Sequence, residues 1–135
     1  KINIIGKRKK LPKDIVKSLK LIEKKTKKNN VITVNIALNY GSKEEIVDAC
    51  RKFVFEKNKK INIKNFQKKL YTKGIPDPDI LIRTGGNRRL SNFLLWQLAY
   101  TEIFFINKMW PDFNKSDFNK IIRKFYNINR NFGKI

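Results

Sequence analysis

No run of apolar residues in the 135-residue sequence approaches the roughly 18 positions that a membrane span requires. No charged-then-apolar leader precedes the first strand-like run, Ile2-Asn3-Ile4-Ile5, so a cytoplasmic chain is expected. The sequence begins at Lys1 rather than Met, which favours a fragment. A single cysteine, Cys50, excludes an internal disulfide. Its neighbours Ile46, Val47, Ala49, Phe53 and Val54 predict a place on the apolar side of a helix, packed in the core. Acidic residues are also scarce, 11 against 32 basic ones, which leaves a net charge of +21.

That charge suggests a partner rich in phosphate: nucleic acid, anionic lipid or a diphosphate. Twenty-five of the 32 basic residues are lysines spread over the chain, and Lys, Asn and Ile are over-used together, a joint bias that AT-rich coding produces. The seven arginines carry more information, because Arg83, Arg88 and Arg89 fall in one loop. A guanidinium fork recognises phosphate where a scattered ammonium does not.

The length suits a single domain over residues 1–135. After the first strand, Gly6 to Lys10 reads as a basic loop. Leu11-Pro12 opens a helix with Pro in its first turn and Ile15, Val16, Leu19 and Ile22 on one face. Val31 to Leu38 is β-branched enough for a buried strand. Ser42 and Glu45 have the spacing of a capping box for a helix through about Glu56. Lys57 to Lys60 is a polar break, Ile63 to Tyr71 a short amphipathic helix, and Lys73 to Pro78 a turn-rich stretch. Asp79 to Arg83 predicts a second buried strand, Asn92 to Tyr100 an apolar helix, and Glu102 to Phe105 a further strand. Trp110 to Phe113 is a turn, and Asn114 caps a last helix with Phe118, Ile121, Ile122 and Phe125 on its apolar side. Strands alternating with helices predict an α/β fold, a mainly parallel sheet flanked by helices.

In such a sheet, ligands sit beyond the carboxyl ends of the strands. The loop from Arg83 to Ser91 is one of these places. Gly85 and Gly86 allow backbone N–H groups to turn toward an anion, the next helix presents its N-terminus, and Arg83, Arg89 and Ser91 add side-chain donors. A solvated Gly-Gly turn has the same spacing. Glu102, between Tyr100 and Phe104, fits a solvated carboxylate as well as a ligand. Phe93, Trp96, Tyr100, Phe104 and Phe105 read as core rather than as a platform for stacking bases.

The residues go further than a generic cradle. Asp79-Ile80-Leu81-Ile82-Arg83-Thr84-Gly85-Gly86, then Arg89 to Tyr100, then Glu102 and Trp110-Pro111-Asp112-Phe113, resemble the C-terminal signature of cis-prenyltransferases of the undecaprenyl diphosphate synthase type. Asn35 to Ser42 with Glu45-Ile46-Val47 resembles that family's central block. The resemblance implies the C-terminal part of the cis-prenyltransferase fold. It also implies that Arg83, Arg89, Leu90 and Ser91 bind the diphosphate of isopentenyl diphosphate, and that Glu102 helps hold Mg²⁺. The implied reaction joins isopentenyl diphosphate to an allylic diphosphate such as farnesyl diphosphate. The allylic diphosphate departs from C1, the isopentenyl double bond attacks that carbon, and proton loss leaves a cis double bond. The resemblance further implies a homodimer, no nucleic-acid partner, and transient membrane-surface contact for product release.

The chain departs from the family in four ways. The N-terminal block of His-Gly-Asn-Gly-Arg-Trp-Ala type, with the Asp that is the family's main Mg²⁺ residue, is absent, so no catalytic residue is assigned and the chain is expected to be inactive alone. Asn87 stands where an acid is usual, and Arg88 where a metal-ligating His sometimes stands. In the tail, Arg130-Asn131-Phe132-Gly133 has Asn131 at the expected Arg. A non-catalytic partner subunit and a basic nucleic-acid-binding module are the alternative readings.

Overall fold

The computed structural model describes residues 1–56 and 60–131, and the polar break at Lys57 to Lys60 and the tail motif at Phe132-Gly133 therefore lie partly or wholly outside the described residues. The chain divides into two compact units, Lys1–Ile75 and Pro76–Ile135.

In the first unit, β1 (Ile2–Ile5), α1 (Lys13–Thr26) and β2 (Val34–Ala37) form a β-α-β unit whose strands pair in parallel, Ile2 opposite Val34 and Ile5 opposite Ala37. The other edge of β1 is closed by side chains of α1. The Ile2 N–H donates to the Thr26 hydroxyl (3.0 Å), and the Ile4 N–H to the Glu23 carboxylate (2.9 Å). Alternate N–H groups of an edge strand would otherwise invite another chain. Helix α1 begins one residue later than the sequence predicts: Pro12 is extended and caps the helix from outside, its carbonyl accepting from the Val16 N–H. Leu11, held extended by the proline that follows it, ends a short 3₁₀ turn at Arg8–Lys10 within the predicted loop.

The predicted buried strand is shorter and more open. Only Val34–Ala37 pairs, and Val31 and Ile32 are 96% and 67% exposed. β-Branched composition records a strand built for cover on both faces, but burial requires the covering layer.

Helix α2 (Ser42–Phe55) corrects two expectations. The N-cap is Gly41, with no side-chain cap bond, and Ser42 and Glu45 are fully buried instead of forming a capping box. Cys50 is exposed rather than packed in the core. The buried face is Ser42, Glu45, Ala49 and Phe53, an i, i+3, i+7, i+11 stripe, and Cys50 lies about 100° around the helix from Ala49. Helix α3 stops at Gln67 (Ile63–Gln67), capped by the Asn62 side chain, and the remainder of its predicted span through Tyr71 is turns. Phe66 stacks on Phe53 with ring centroids 6.0 Å apart, and Leu70 is buried behind them.

In the second unit, β3 (Ile80–Arg83) and β4 (Glu102–Phe105) pair in parallel, Ile80 opposite Glu102 and Arg83 opposite Phe105. The connection between them does not contain the predicted helix. Residues 91–100 form successive turns, and Ser91, Asn92 and Leu94 have φ of 49°, 63° and 46°. Left-handed residues interrupt a right-handed helix however apolar the sequence is. Leu98 and Gln97 are buried there, while Phe93, Tyr100 and Phe105 are exposed and Trp96 and Phe104 half-buried, so the five aromatics do not form a closed core. Trp110–Asp112 is a 3₁₀ turn, and α4 (Lys115–Tyr126) starts as expected at Asn114. The Asn114 side chain accepts from the backbone at Ser116 and Asp117, and Asp117 reaches back to the Asn114 N–H (3.1 Å). Both strand pairs are parallel and flanked by helices, as an α/β fold requires.

Candidate diphosphate site

Arg83 is the last residue of β3, and past it the two strands stay joined. The Ile106 N–H donates to the Arg83 carbonyl (2.8 Å), the Gly86 N–H to the Ile106 carbonyl (3.0 Å), and the Gly85 N–H to the Lys108 carbonyl (2.8 Å). Gly85 and Gly86 have φ of 86° and 74°, the left-handed region that glycine enters without strain. The glycines are thus needed for the turn. Their N–H groups are already bonded to carbonyls, so the expectation that they face an anion is corrected. With no helix following the loop, no helix N-terminus faces it either, and the donors on offer are side chains.

Those side chains are drawn together by Arg83. Its guanidinium donates through Nη1 to the Arg89 carbonyl and to Ser91 Oγ (3.0 Å). The loop therefore folds back on the strand end, with Arg89 and Ser91 exposed and Leu90 half-buried between them. The positive φ of Ser91 fixes the direction of its hydroxyl, a conformation that costs a non-glycine residue about 1–3 kcal/mol. Two guanidinium groups and a hydroxyl converging beyond a parallel strand can bind a polyanion such as a diphosphate. Arg88 points elsewhere: it lines a cavity of about 690 Å³ with Ile103 to Ile106 of the β4 segment and Lys120, Ile121 and Lys124 of α4.

Glu102 is not brought to this loop. It opens β4, whereas Arg83 closes β3, and three residues of strand separate their levels by roughly 10 Å. Its carboxylate is one-third exposed and faces Arg130, whose Nε lies 3.9 Å from Oε1. Arg130 is itself held by Asp79 (2.7 Å) and the Tyr100 carbonyl (3.0 Å). Among the described residues no three His, Cys, Asp or Glu side chains cluster as a complete metal site. Mg²⁺ commonly takes one or two carboxylates and completes its shell with water and phosphate oxygens. An exposed carboxylate oxygen fits that pattern as one ligand.

Two constellations escape sequence reasoning. One is the Arg130 contact, because Asp79 and Arg130 are 51 residues apart with no local signal to join them. The other lies in the first unit. The buried Glu45 carboxylate accepts from the Tyr71 N–H (2.6 Å) and the Tyr40 hydroxyl (2.5 Å), and Asp48 accepts from the Tyr71 hydroxyl and pairs with Lys7 (3.3 Å). The Tyr71 bond, aided by Lys7, holds the Asp48 carboxyl below the ordinary carboxylate value. Burial and the facing Asp48 carboxylate raise the Tyr71 phenol above its ordinary value.

A parallel α/β fold with a cationic loop beyond a strand end defines a class of anion-handling proteins, and comparison with known proteins narrows it. The chain belongs to the prenyltransferase family described as undecaprenyl diphosphate synthase, whose family model matches residues 1–133. It is 45% identical over 134 residues to the isoprenyl transferase of Rickettsia prowazekii, covering 99% of this chain and 59% of that protein. It is 44% identical over 140 residues to a tritrans,polycis-undecaprenyl-diphosphate synthase (geranylgeranyl-diphosphate specific) of Pyrococcus furiosus, covering 99% of this chain and 53% of the relative. Among solved structures, the lavandulyl diphosphate synthase of Lavandula x intermedia, in complex with dimethylallyl diphosphate, superposes with a TM-score of 0.94 at 32% identity, covering 99% of this chain and 60% of that one. The chain thus spans somewhat over half the length of the curated relatives it matches. Among the described residues, no helix is long and apolar enough to cross a membrane.

Proposed function

We propose that this chain supplies the isopentenyl diphosphate side of an isoprenyl transferase, which joins isopentenyl diphosphate to an allylic diphosphate, farnesyl diphosphate being one candidate, to make a cis-polyprenyl diphosphate of undecaprenyl type, a cell-wall lipid carrier. The observation that carries this reading is the gathering of Arg83, the Arg89 segment and Ser91 at the carboxyl end of a parallel strand pair. Arg83 and Arg89 would hold the diphosphate oxygens through charge-assisted bonds, Ser91 would fix their orientation, and Leu90 would close the loop on the apolar side. The two compact units are read as parts of one prenyltransferase domain.

Bound Mg²⁺ would supply charge neutralisation for a departing diphosphate. Glu102 is the residue of this chain that would contribute to holding it. Because Glu102 lies at the opposite end of the strand pair from Arg83, one chain does not bring the two together. A homodimer related by a two-fold axis could set the Glu102 of one copy near the arginine loop of the other.

The test is steady-state kinetics of a full-length protein carrying Arg83→Ala or Arg89→Ala. Each should weaken isopentenyl diphosphate binding by about 1.5–3 kcal/mol, roughly 10- to 150-fold, the range for a hydrogen bond to a charged group. Unchanged isopentenyl diphosphate kinetics in both variants would remove the assignment.

A further inference from the structure

Arg130 follows α4 by four residues and reaches back to the start of the strand pair. Its side chain is only 17% exposed, and its contacts are specific. Nη1 donates to Asp79 Oδ1 at 2.7 Å, Nη2 donates to the Tyr100 carbonyl at 3.0 Å, and the guanidinium lies 5.3 Å from the centre of the Phe125 ring. These three partners fix the cation in place. Glu102, 32% exposed, is left with the long contact: Nε to Oε1 is 3.9 Å, an ion pair beyond hydrogen-bond reach. The arginine is anchored by other groups, and Glu102 has that charge as its near neighbour.

A divalent cation bound by Glu102 would therefore meet a fixed positive charge that cannot easily withdraw. Arg130 cannot lose its proton to relieve the repulsion. We propose that Arg130 is the resident counter-ion of Glu102, and that it opposes the binding of a bare divalent ion there. A metal ion that arrives already complexed to diphosphate carries net negative charge, and the same guanidinium then attracts it. The pair thus favours a metal–diphosphate complex over free metal. This inference rests on the reading of Glu102 as a metal ligand.

The sign of the effect separates the proposal from a merely structural role. Loss of a structural arginine weakens metal binding or leaves it alone, whereas loss of an opposing charge strengthens it. In the full-length protein, with Mn²⁺ alone as the probe and free Mn²⁺ followed by its electron paramagnetic resonance, Arg130→Gln should bind roughly five- to tenfold more tightly than the parent. Arg130→Lys, which keeps a positive charge, should show less of that gain, and Arg130→Gln combined with Glu102→Gln should show none. Equal or weaker Mn²⁺ binding in a folded Arg130→Gln protein overturns the proposal, as does a gain that survives Glu102→Gln. Should Arg130→Gln fail to fold, the unsubstituted protein still decides. Mn²⁺ should broaden the Arg130 Nε–H nuclear magnetic resonance signal, and a signal untouched at saturating Mn²⁺ is the contrary result. The underlying reading fails separately: it does so if Glu102→Gln leaves the Mg²⁺ requirement for activity unchanged. If that requirement rises while Arg130→Gln does not tighten Mn²⁺, only the counter-ion inference is lost.

Discussion

Gly6 shows how much one residue can decide. It sits just past β1 with φ of 106°, and a Cβ there would lie 2.2 Å from the Leu38 carbonyl oxygen. The approach is tight because the ends of β1 and β2 are bound together. The Lys7 N–H donates to the Asn39 carbonyl (3.2 Å), and the Asn39 side chain donates to the Lys7 carbonyl (2.9 Å). Gly6→Ala meets both a forbidden φ and backbone rather than a yielding side chain. A loss of about 2–4 kcal/mol is expected in urea unfolding, and a loss under 0.5 kcal/mol would contradict the contact. The acid side of the pH–stability curve also belongs to single residues. Asp48 is held low chiefly by the Tyr71 hydroxyl, and Glu23 chiefly by Arg8, whose Nη2 lies 2.7 Å away. In both cases the unfolded chain binds protons that the folded chain refuses. Their stabilisation is fully present above the ordinary carboxylate value of about 4 and is lost as pH falls through the lowered folded values. Asp77, raised by burial, acts in the opposite sense, losing stability as pH rises through its titration. The net expectation is an acid-labile fold, checked by urea midpoints between pH 6 and 3. Tyr71→Phe should reduce the acid slope by releasing Asp48.

Elements differ in how plainly the sequence announces them, and the difference follows the range of the interactions that form them. Helix α4 was legible because its start is local: Asn114 and Asp117 complete a capping box within four residues. Asn114→Ala should cost about 1 kcal/mol by removing acceptors for two N–H groups, measurable by thermal unfolding. No change would mean that water replaces the cap at no cost. Helix α2 was legible in extent but not in orientation. The same Ser and Glu that spell a capping box are turned inward, because Tyr71, 26 residues away, offers its N–H to Glu45. That distant partner also decides which stripe of α2 is buried, and so leaves Cys50 outside. The stretch from Asn92 to Tyr100 was misread because left-handed backbone at Ser91, Asn92 and Leu94 leaves no mark on hydrophobic periodicity. At the site, Arg83, Arg89 and Ser91 were recognisable from type and spacing. The bonding of the glycine N–H groups to Lys108 and Ile106 was not, because those partners lie beyond the next strand.

Over the whole molecule, apolar surface and positive charge are both in excess. Val31, Val54, Phe55, Ile61, Trp110 and Tyr126 are all at least 73% exposed. Exposed groups of this size mark surfaces that other protein covers. The chain by itself is expected to bind a hydrophobic dye such as anilinonaphthalene sulfonate strongly, and a full-length protein much less. Equal dye binding by the two would show that the faces stay open. The charge of +21 acts over a longer range, raising the encounter rate with any diphosphate in a way that added salt suppresses. What happens after encounter depends on the loop. Because its two glycine N–H groups are already spent on the Lys108 and Ile106 carbonyls, an arriving anion has no main chain to arrange and immobilises only side chains. Ordering a residue's backbone costs about 1–2 kcal/mol, so a frame fixed in advance spares the ligand several such penalties. Calorimetry should accordingly find diphosphate capture with a small entropic cost and single-step kinetics, the behaviour of a rigid receptor rather than a loop that closes.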